Sequence, residues 1–467
     1  MSTTRHTALD AVAALRERLT EVVAPGDETW DASRAAWNLV ADQRPAAVVY
    51  PRDAGEVAAT LAVARHHGLR VAPQGTGHNA APMGELGDAV LLRTDRMRDV
   101  LIDPLARIAR VGAGVLWEEV TVPAAEHGLI ALHGSSPNVG VVGYSLGGGI
   151  GWLARSHGLA TSSVTAIELV TAAGEVIRAD ETREPDLFWA LRGGGGDYGI
   201  VTAMEFRLYP LETAYAGWFI WSWERADEVL RTWAEWTRTV PEEMTSVGRI
   251  LQIPDLPFAP EPLRGRNIVA VEVAYTGTDD QERIGAELVR PFRDLGPEMD
   301  MVATMPASEM VRLHQDPEPP MPGVGGHVMI DEITPEAMSR FVRLTGPRSG
   351  SPFISSEIRH LGGALGRHAP GGGALTHLEG EGAMFVIGVP MHPEHHELLV
   401  REVSRVEEGM SAFGHGRMYR NFTEEQTSAS DFHADERLAR LREVRRRFDP
   451  EVRIRTNHPI DRELGGI

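Results

Sequence analysis

Residues 72–79, with the sequence APQGTGHN, join a glycine-rich turn to a histidine. The successive backbone N–H groups of residues 74–77 can form a concave binding site for a phosphate or pyrophosphate, without any lysine. His78 would then lie beside the bound ligand. The turn alone leaves open whether this imidazole reacts or is only structural.

A second glycine-rich segment, GGGDYG at residues 194–199, has the G-x-G-x-x-G spacing of dinucleotide-binding folds. In those folds the last glycine leads into a helix whose N-terminus holds the pyrophosphate. Here the strand-like run IVTAMEF follows, so we reject that interpretation. We interpret the glycines as a close approach of the backbone to a ligand, with a simple hairpin turn as the alternative.

Composition removes much of the usual catalytic repertoire. The chain has no cysteine and no lysine, which excludes thiolate nucleophiles, iron–sulfur ligation and Schiff-base lysines. His392, His395 and His396 do not have the spacing of a zinc helix, and we predict no metal site. A bound organic cofactor is therefore the expected source of chemistry.

The charge and length of the chain narrow its class further. A formal charge of −20 over 467 residues argues against nucleic acid as a partner. No stretch approaches the roughly 20 uninterrupted apolar residues of a membrane helix, and the first residues do not resemble an export signal. We expect a cytoplasmic protein with no membrane partner and about two domains.

The first predicted elements position the turn. A buried strand, AAVVYP, precedes Asp53 and Glu56, which are placed as the N-cap and first-turn partner of a helix. Val57, Leu61 and Ala64 form the apolar face of that helix, which ends before the strand LRVAP. The turn then lies at a strand end, where α/β proteins bind ligands.

The composition shifts after Pro210, where apolar strands such as YAGWFIWSW and NIVAVEVAY alternate with amphipathic helices. Near the C-terminus, the helix ERLARLREVRRRF and a closing strand, VRIRTN, would return to the first domain. We therefore predict an α+β protein with three parts, at residues 1–206, 207–416 and 417–467.

Seven segments, taken in order, resemble the berberine bridge enzyme-like FAD-linked oxidases of the vanillyl-alcohol oxidase superfamily. They include the turn, GYSLGGGIGWLARSHGLA, DLFWALRGGGGDYGIVT, IRHLGGA and YRNF. The resemblance implies a two-part PCMH-type FAD-binding domain, from residues 1–206 and 417–467. It is split by an inserted α+β substrate domain with an antiparallel sheet, at residues 207–416.

The same resemblance implies that FAD is bonded covalently to His78. Many relatives have a second link through a cysteine in the motif C-x-x-V-G, but this motif reads SPNVG here, so Ser136 implies a single attachment, as in bacterial members with one link. The other cofactor-binding residues implied are Gln74, Gly75, Thr76, Gly77, Asn79, Ser135, Val139, Gly140, Gly143, Tyr144, Gly147, Gly148, Gly149, Gly151, Trp152, Ile200, Val201, Tyr419 and Asn421.

Two residues are candidates for proton transfer. Strand alternation would put Phe353, Ser355, Glu357 and Arg359 on one face, and the family has a carboxylate facing the flavin at the position of Glu357. An ion pair between Glu357 and Arg359 without a catalytic role is the alternative. Tyr419 is the second candidate, if a neighbouring charge lowers its pKa.

The resemblance implies an FAD-dependent oxidase that acts on a small-molecule alcohol, amine or activated C–H, of an aromatic or secondary-metabolite type, with O2 as electron acceptor. The valine at position 139 favours reaction with O2. The alternatives are a drug-sequestering flavoprotein and a carbohydrate oxidase or dehydrogenase of the same fold. We expect a monomer or homodimer. The second domain should form the roof of the pocket, with an aromatic-rich sheet that contains Trp218, Trp221, Trp223 and Tyr275. Some of these must lie in the core, since tryptophans two or three residues apart cannot all face one side of a strand.

Overall fold

The computed structural model describes residues 2–255 and 261–462. Its α-helices are α1 (Ser2–Arg18), α2 (Trp30–Arg34), α3 (Ala54–His66), α4 (Glu118–Ala125), α5 (Val141–Leu146), α6 (Ala154–His157), α7 (Pro185–Leu191), α8 (Ala226–Thr237), α9 (Gln281–Leu288), α10 (Arg290–Asp294), α11 (Pro335–Thr345), α12 (Pro393–Met410) and α13 (Asp435–Phe448). No helix among these described residues is both long and apolar enough to cross a membrane.

The β-strands in the described part of the chain belong to four sheets. They are β1 (Val22–Val23), β2 (Ala47–Val49), β3 (Arg70–Gln74), β4 (Ala89–Arg93), β5 (Val100–Asp103), β6 (Ile108–Gly112), β7 (Leu129–Ile130), β8 (Val164–Val170), β9 (Val176–Asp180), β10 (Ile200–Arg207), β11 (Tyr209–Pro210), β12 (Thr213–Ser222), β13 (Met244–Gln252), β14 (Asn267–Tyr275), β15 (Met299–Asp300), β16 (Ala303–Pro306), β17 (Val324–Ile330), β18 (Ser355–His360) and β19 (Gly382–Gly388).

The first sheet carries the glycine turn and has the order β1-β2-β4-β3, with β2, β4 and β3 parallel. Asp53 caps α3, since its side chain accepts a hydrogen bond from the N–H of Glu56 at 2.9 Å. The predicted apolar face of α3, at Val57, Leu61 and Ala64, is buried. The strand–helix–strand prediction is thus confirmed.

A five-stranded antiparallel sheet follows, in the order β5-β6-β10-β8-β9. The glycines of residues 193–199 precede β10 directly, so a strand rather than a helix follows them. A dinucleotide-binding fold would have a helix at this position, so the strand agrees with the rejection of that interpretation.

The largest sheet has the order β15-β12-β14-β13-β18-β19-β17, with β16 beside β12, and is antiparallel. One face packs against α8, α11 and α12. Because side chains alternate along β12, Trp218 lies on the other face, while Trp221 joins the helix-side core. Trp223 and Tyr275 pack with that same core, so several of these aromatic residues are core residues, as their spacing predicts, and none of the four lines the cavity.

The C-terminal segment packs against the first part of the chain. Leu438, Leu441 and Val444 of α13 join the core formed by α3 and β10. Ile454 forms a parallel bridge with Val71 of β3, in place of the closing strand that the sequence predicted. The mixed α+β class, with antiparallel sheets, is confirmed.

Candidate active site

One cavity, of about 460 Å³, lies where the first part of the chain, the largest sheet and the C-terminal segment meet. Five stretches contribute most of its wall: the turn after β3, the loop leading into α5, the glycines before β10, the residues of β18, and residues 419–424. The cavity therefore gathers segments that are far apart in the sequence.

The turn is built so that His78 faces this cavity. Gly77 has a φ of 84°, and a Cβ there would stand 2.8 Å from the Cβ of Ala36, so only glycine fits. The imidazole of His78 stacks on Trp37, with ring centroids 4.1 Å apart, and its Nδ1 lies 2.7 Å from Oγ1 of Thr76. The ring is thereby fixed in one orientation.

The histidine is neutral at physiological pH. Burial lowers the pKa of His78 to about 4, with Asn138 acting in the opposite direction. Its Nε2 is buried and makes no hydrogen bond of normal geometry with any residue in the described part of the chain. A neutral imidazole with one unengaged nitrogen is a possible nucleophile.

The polar groups and open space around the turn fit a large organic cofactor. Both side-chain polar atoms of Gln74 are buried without a hydrogen-bond partner among the described residues. A Cβ built at Gly143 would meet no atom within 4 Å, and one at Gly140 only the methyl group of Thr76, at 3.9 Å. The cavity wall is thus bare backbone where an aromatic ring or phosphate could approach closely.

Most residues expected to bind the cofactor line this cavity. They are Gln74, Gly75, Thr76, Gly77, His78, Asn79, Ser135, Ser136, Val139, Gly140, Gly143, Tyr144, Gly147, Val201, Tyr419 and Asn421.

Five of the expected residues do not line it: Gly148, Gly149, Gly151, Trp152 and Ile200. A Cβ at Gly149 would stand 2.4 Å from the ring of Tyr144, and one at Gly151 would stand 1.7 Å from the carbonyl oxygen of His133. These glycines let chain segments pack closely. Trp152 and Ile200 are buried in the hydrophobic cores.

Tyr419 has a buried hydroxyl that accepts two hydrogen bonds, from the N–H of Gly149 at 2.8 Å and from Nδ2 of Asn421 at 3.2 Å. Burial raises the pKa of Tyr419, and these donors and Arg359 only partly oppose the shift. The expectation that a neighbouring charge lowers this pKa is wrong, because desolvation of the phenolate outweighs the charge.

Ser355, Glu357 and Arg359 of β18 all face the cavity, as alternation predicts. Phe353 does not: it precedes the strand and packs with Ile358 in the core on the helix side. The predicted ion pair is present, with Nε of Arg359 donating to Oε1 of Glu357 at 2.7 Å.

Glu357 belongs to a larger buried cluster of charges. Its Oε2 lies 2.8 Å from Nε2 of His314 and 3.6 Å from Nε of Arg249, which is its register partner in β13. Burial raises the pKa of Glu357, but Arg359, His314 and Arg249 outweigh burial and hold it well below its usual value. The carboxylate is ionised at neutral pH.

Five further titratable residues that line the cavity were missed: Arg249, His314, Asp316, Arg420 and Glu424. A charged residue within an otherwise apolar strand, as in SVGRILQ, was the available signal for Arg249. Nothing in the local sequence distinguishes His314 or Glu424. Burial raises the pKa of Glu424 to about 7, although the N–H of Gly325 donates to it.

Comparison with known proteins finds similarity to FAD-binding and FAD-linked proteins. The family model described as an FAD binding domain matches residues 45–180. (R)-6-Hydroxynicotine oxidase of Paenarthrobacter nicotinovorans is 29% identical over 95% of this chain and 97% of its own. Xylooligosaccharide oxidase of Thermothelomyces thermophilus is 34% identical over 49% of this chain and 48% of its own.

Solved structures show the same fold. That of 6-hydroxy-D-nicotine oxidase from Arthrobacter nicotinovorans has a TM-score of 0.78 at 26% identity, with 95% of this chain and 98% of that chain covered. That of a Physcomitrella patens BBE-like 1 variant has a TM-score of 0.84 at 20% identity, with 97% and 100% covered. The chain contains an FAD-binding domain, and its fold is that of BBE-like enzymes and 6-hydroxynicotine oxidase in the PCMH-type FAD-binding superfamily. It is an FAD-linked oxidoreductase.

Proposed function

We propose that the protein is an oxidase that takes a hydride from a small-molecule amine, alcohol or activated C–H and passes the electrons to O2. The observation that carries this proposal is the shared cavity, in which neutral His78 and ionised Glu357 face the same space. Bound FAD supplies a two-electron acceptor that O2 reoxidises with release of hydrogen peroxide.

The proposal includes one covalent attachment, between FAD and Nε2 of His78. If Nδ1–H donates to Thr76, the lone pair of the neutral ring is on Nε2, which is the nucleophilic nitrogen. Ser136 stands where many relatives have a second linking residue. Its hydroxyl donates to Oδ1 of Asn138 at 3.0 Å and lacks the reactivity of a thiolate, so we expect no second bond.

Glu357 is the proposed proton acceptor. It is already ionised, and it is a weak base because Arg359, His314 and Arg249 lower its pKa. A weak base suffices here, since the O–H or N–H of the substrate becomes acidic as the hydride leaves the adjacent carbon. Tyr419 stays protonated, and we assign it a positioning role beside Asn421.

An amine on or beside an aromatic ring is the substrate class we favour. The support is the resemblance over almost the whole length to a relative named as a hydroxynicotine oxidase. A sugar alcohol is the second class, because oligosaccharide oxidases match about half of the chain. Val139 leaves a small side chain in the cavity wall, which supports access of O2.

The test is anaerobic mixing of the purified protein with 6-hydroxynicotine enantiomers, other cyclic amines and xylo-oligosaccharides. We expect one class to bleach the flavin absorption, and air to restore it with equimolar hydrogen peroxide. A ligand that binds without bleaching would instead indicate sequestration. Bleaching that recovers slowly in air would indicate a dehydrogenase.

A further inference from the structure

The charge cluster behind Glu357 contains a chain of three buried groups. Nδ1 of His314 lies 2.5 Å from Oε2 of Glu272, and its Nε2 lies 2.8 Å from Oε2 of Glu357. The side chains of Glu272, His314 and Glu357 are 0%, 1% and 3% exposed. Glu272 does not line the cavity, whereas the other two do.

These three groups come from separate elements that Arg249 ties together. Glu272 is in β14, Glu357 in β18, and His314 follows the 3₁₀ turn at Ala307–Arg312. From β13 between them, Nη1 of Arg249 donates to Oε1 of Glu272 at 3.1 Å and to the carbonyl of His314 at 2.8 Å. Both the backbone and the ring of His314 are thereby fixed.

Hydrogen-bond accounting determines the form of the ring. A carboxylate oxygen accepts but does not donate, so a ring with a carboxylate on each side needs a hydrogen on both nitrogens. Nη2 of Arg359 lies 3.2 Å from the same Nε2 and would be a partner only for a neutral ring. A neutral ring, however, would turn a lone pair toward ionised Glu357 at the shorter distance of 2.8 Å.

The charges of the surrounding groups also favour a His314 ring that is protonated on both nitrogens. The groups facing His314 are Arg249 from β13, Glu272 from β14, Glu357 and Arg359 from β18, and Asp316 from its own segment. With His314 protonated, three cations balance three anions, as buried charges require. Burial and Arg249 lower the pKa of His314, but the three carboxylates outweigh them and raise it to about 9.

We propose that His314 is a positioning residue for Glu357: a doubly protonated ring, held by Glu272, that donates to Oε2 of Glu357 and keeps this carboxylate ionised and oriented toward the cavity. The role of Glu357 as proton acceptor rests on the proposed function. The protonation and orientation of His314 do not. Glu272 acts indirectly, through His314 and Arg249, since it does not reach the cavity itself.

The direct test is a pH titration of the holoprotein labelled with ¹⁵N-histidine, followed by NMR of the imidazole nitrogens. We expect one ring to remain doubly protonated at pH 8 and to titrate near pH 9, and this signal to be absent in His314→Asn, or in His314→Gln if the first does not fold. If no ring remains doubly protonated at pH 8, the proposal is wrong. This result does not depend on turnover.

The second test uses Glu272→Gln. Removing this carboxylate removes one of the charges that raise the pKa of His314, so the titration should move down by at least about one pH unit. With a substrate that bleaches the flavin, the rate of flavin reduction can be plotted against pH. The alkaline limb of this profile should move down by the same number of pH units. Glu205→Gln, which breaks an ion pair with Arg178 outside the cavity, is the matched control. It should shift neither the titration of His314 nor the pH profile of flavin reduction. An unmoved His314 signal in Glu272→Gln would overturn the proposal.

Discussion

The reactivity proposed for His78 depends on its neutral state and its unengaged Nε2. We predict that denatured wild-type protein retains its yellow colour and exceeds the mass of the polypeptide by about that of FAD. In His78→Ala the colour should pass into the supernatant after acid precipitation, and the extra mass should disappear. Intact-protein mass spectrometry measures both.

Ser136→Ala is the matched control for this experiment, because Ser136 lines the same cavity and stands at the position of the second link in many relatives. The adduct should be unchanged in this variant. Retention of covalent FAD by His78→Ala would exclude His78 as the attachment site.

Glu357 and Glu424 both line the cavity, and the opposite shifts of their pKa values separate their roles. Glu357→Gln should slow flavin reduction by about 100-fold, because the substrate loses its proton acceptor. Glu424→Gln should have little effect, since burial raises the pKa of Glu424 to about 7 and leaves it partly protonated at neutral pH. Stopped-flow reduction under anaerobic conditions measures both rates. If only Glu424→Gln is slow, the assignment is reversed.

At the level of elements, the cluster formed by β13, β14 and β18 should make stability depend on pH. The folded-state pKa of His314, about 9, is above its unfolded value, so its contribution is fully present below about pH 6.5 and is lost as the pH rises through 9. The shift corresponds to about 3 kcal/mol. The free energy of unfolding of the wild-type protein, measured by urea unfolding, should fall by up to this amount between pH 6 and pH 10.

His314→Asn serves as the comparison, because it lacks the titrating ring at the same place. Its free energy of unfolding should vary less over this range, after correction for the titration that both proteins share. An equal loss in the two proteins would show that His314 does not couple folding to protonation.

Elements with local signals were predictable, whereas those defined by long-range pairing were not. Asp53, Glu56 and the apolar spacing of α3 lie within a dozen residues, so the sequence alone located the helix. Arg249 and Glu357 are register partners across more than a hundred residues. No local pattern reports such a pair. Phe353 was placed on the wrong face because the start of β18, at Ser355, was not predicted.

The same limit applies to the whole molecule. The sequence predicts that the turn at residues 74–79 faces a ligand, and it predicts the same for the glycines at residues 194–199, with a hairpin turn as the alternative; both segments line one cavity. These two predictions needed only the local conformational preferences of glycine and of turns. The domain boundaries at residues 206 and 416 remain predictions. The cluster around His314 depends on how the large sheet docks against the first part of the chain, which a sequence without alignment does not contain.

The return of the C-terminal segment to the first part of the chain depends on buried charges as well as apolar contacts. Arg445 of α13, 2% exposed, pairs with Asp197 at 3.3 Å, and Asp197 is completely buried and precedes β10. Arg445 also pairs with Asp461 at 2.9 Å. Removing one partner of a buried pair leaves an uncompensated charge. We predict that Arg445→Gln lowers the free energy of unfolding by about 3–5 kcal/mol, as measured by urea unfolding.

Arg447→Gln provides a control on the same helix. Arg447 pairs with Glu184 at 2.7 Å but is 59% exposed, and pairs of this kind contribute less than about 1 kcal/mol. Because both substitutions remove one arginine from one turn of α13, their difference isolates burial from helix propensity. If Arg445→Gln costs no more than Arg447→Gln, the buried pair does not hold the C-terminal segment in place. The apolar contacts of Leu438, Leu441 and Val444 would then have to account for its docking.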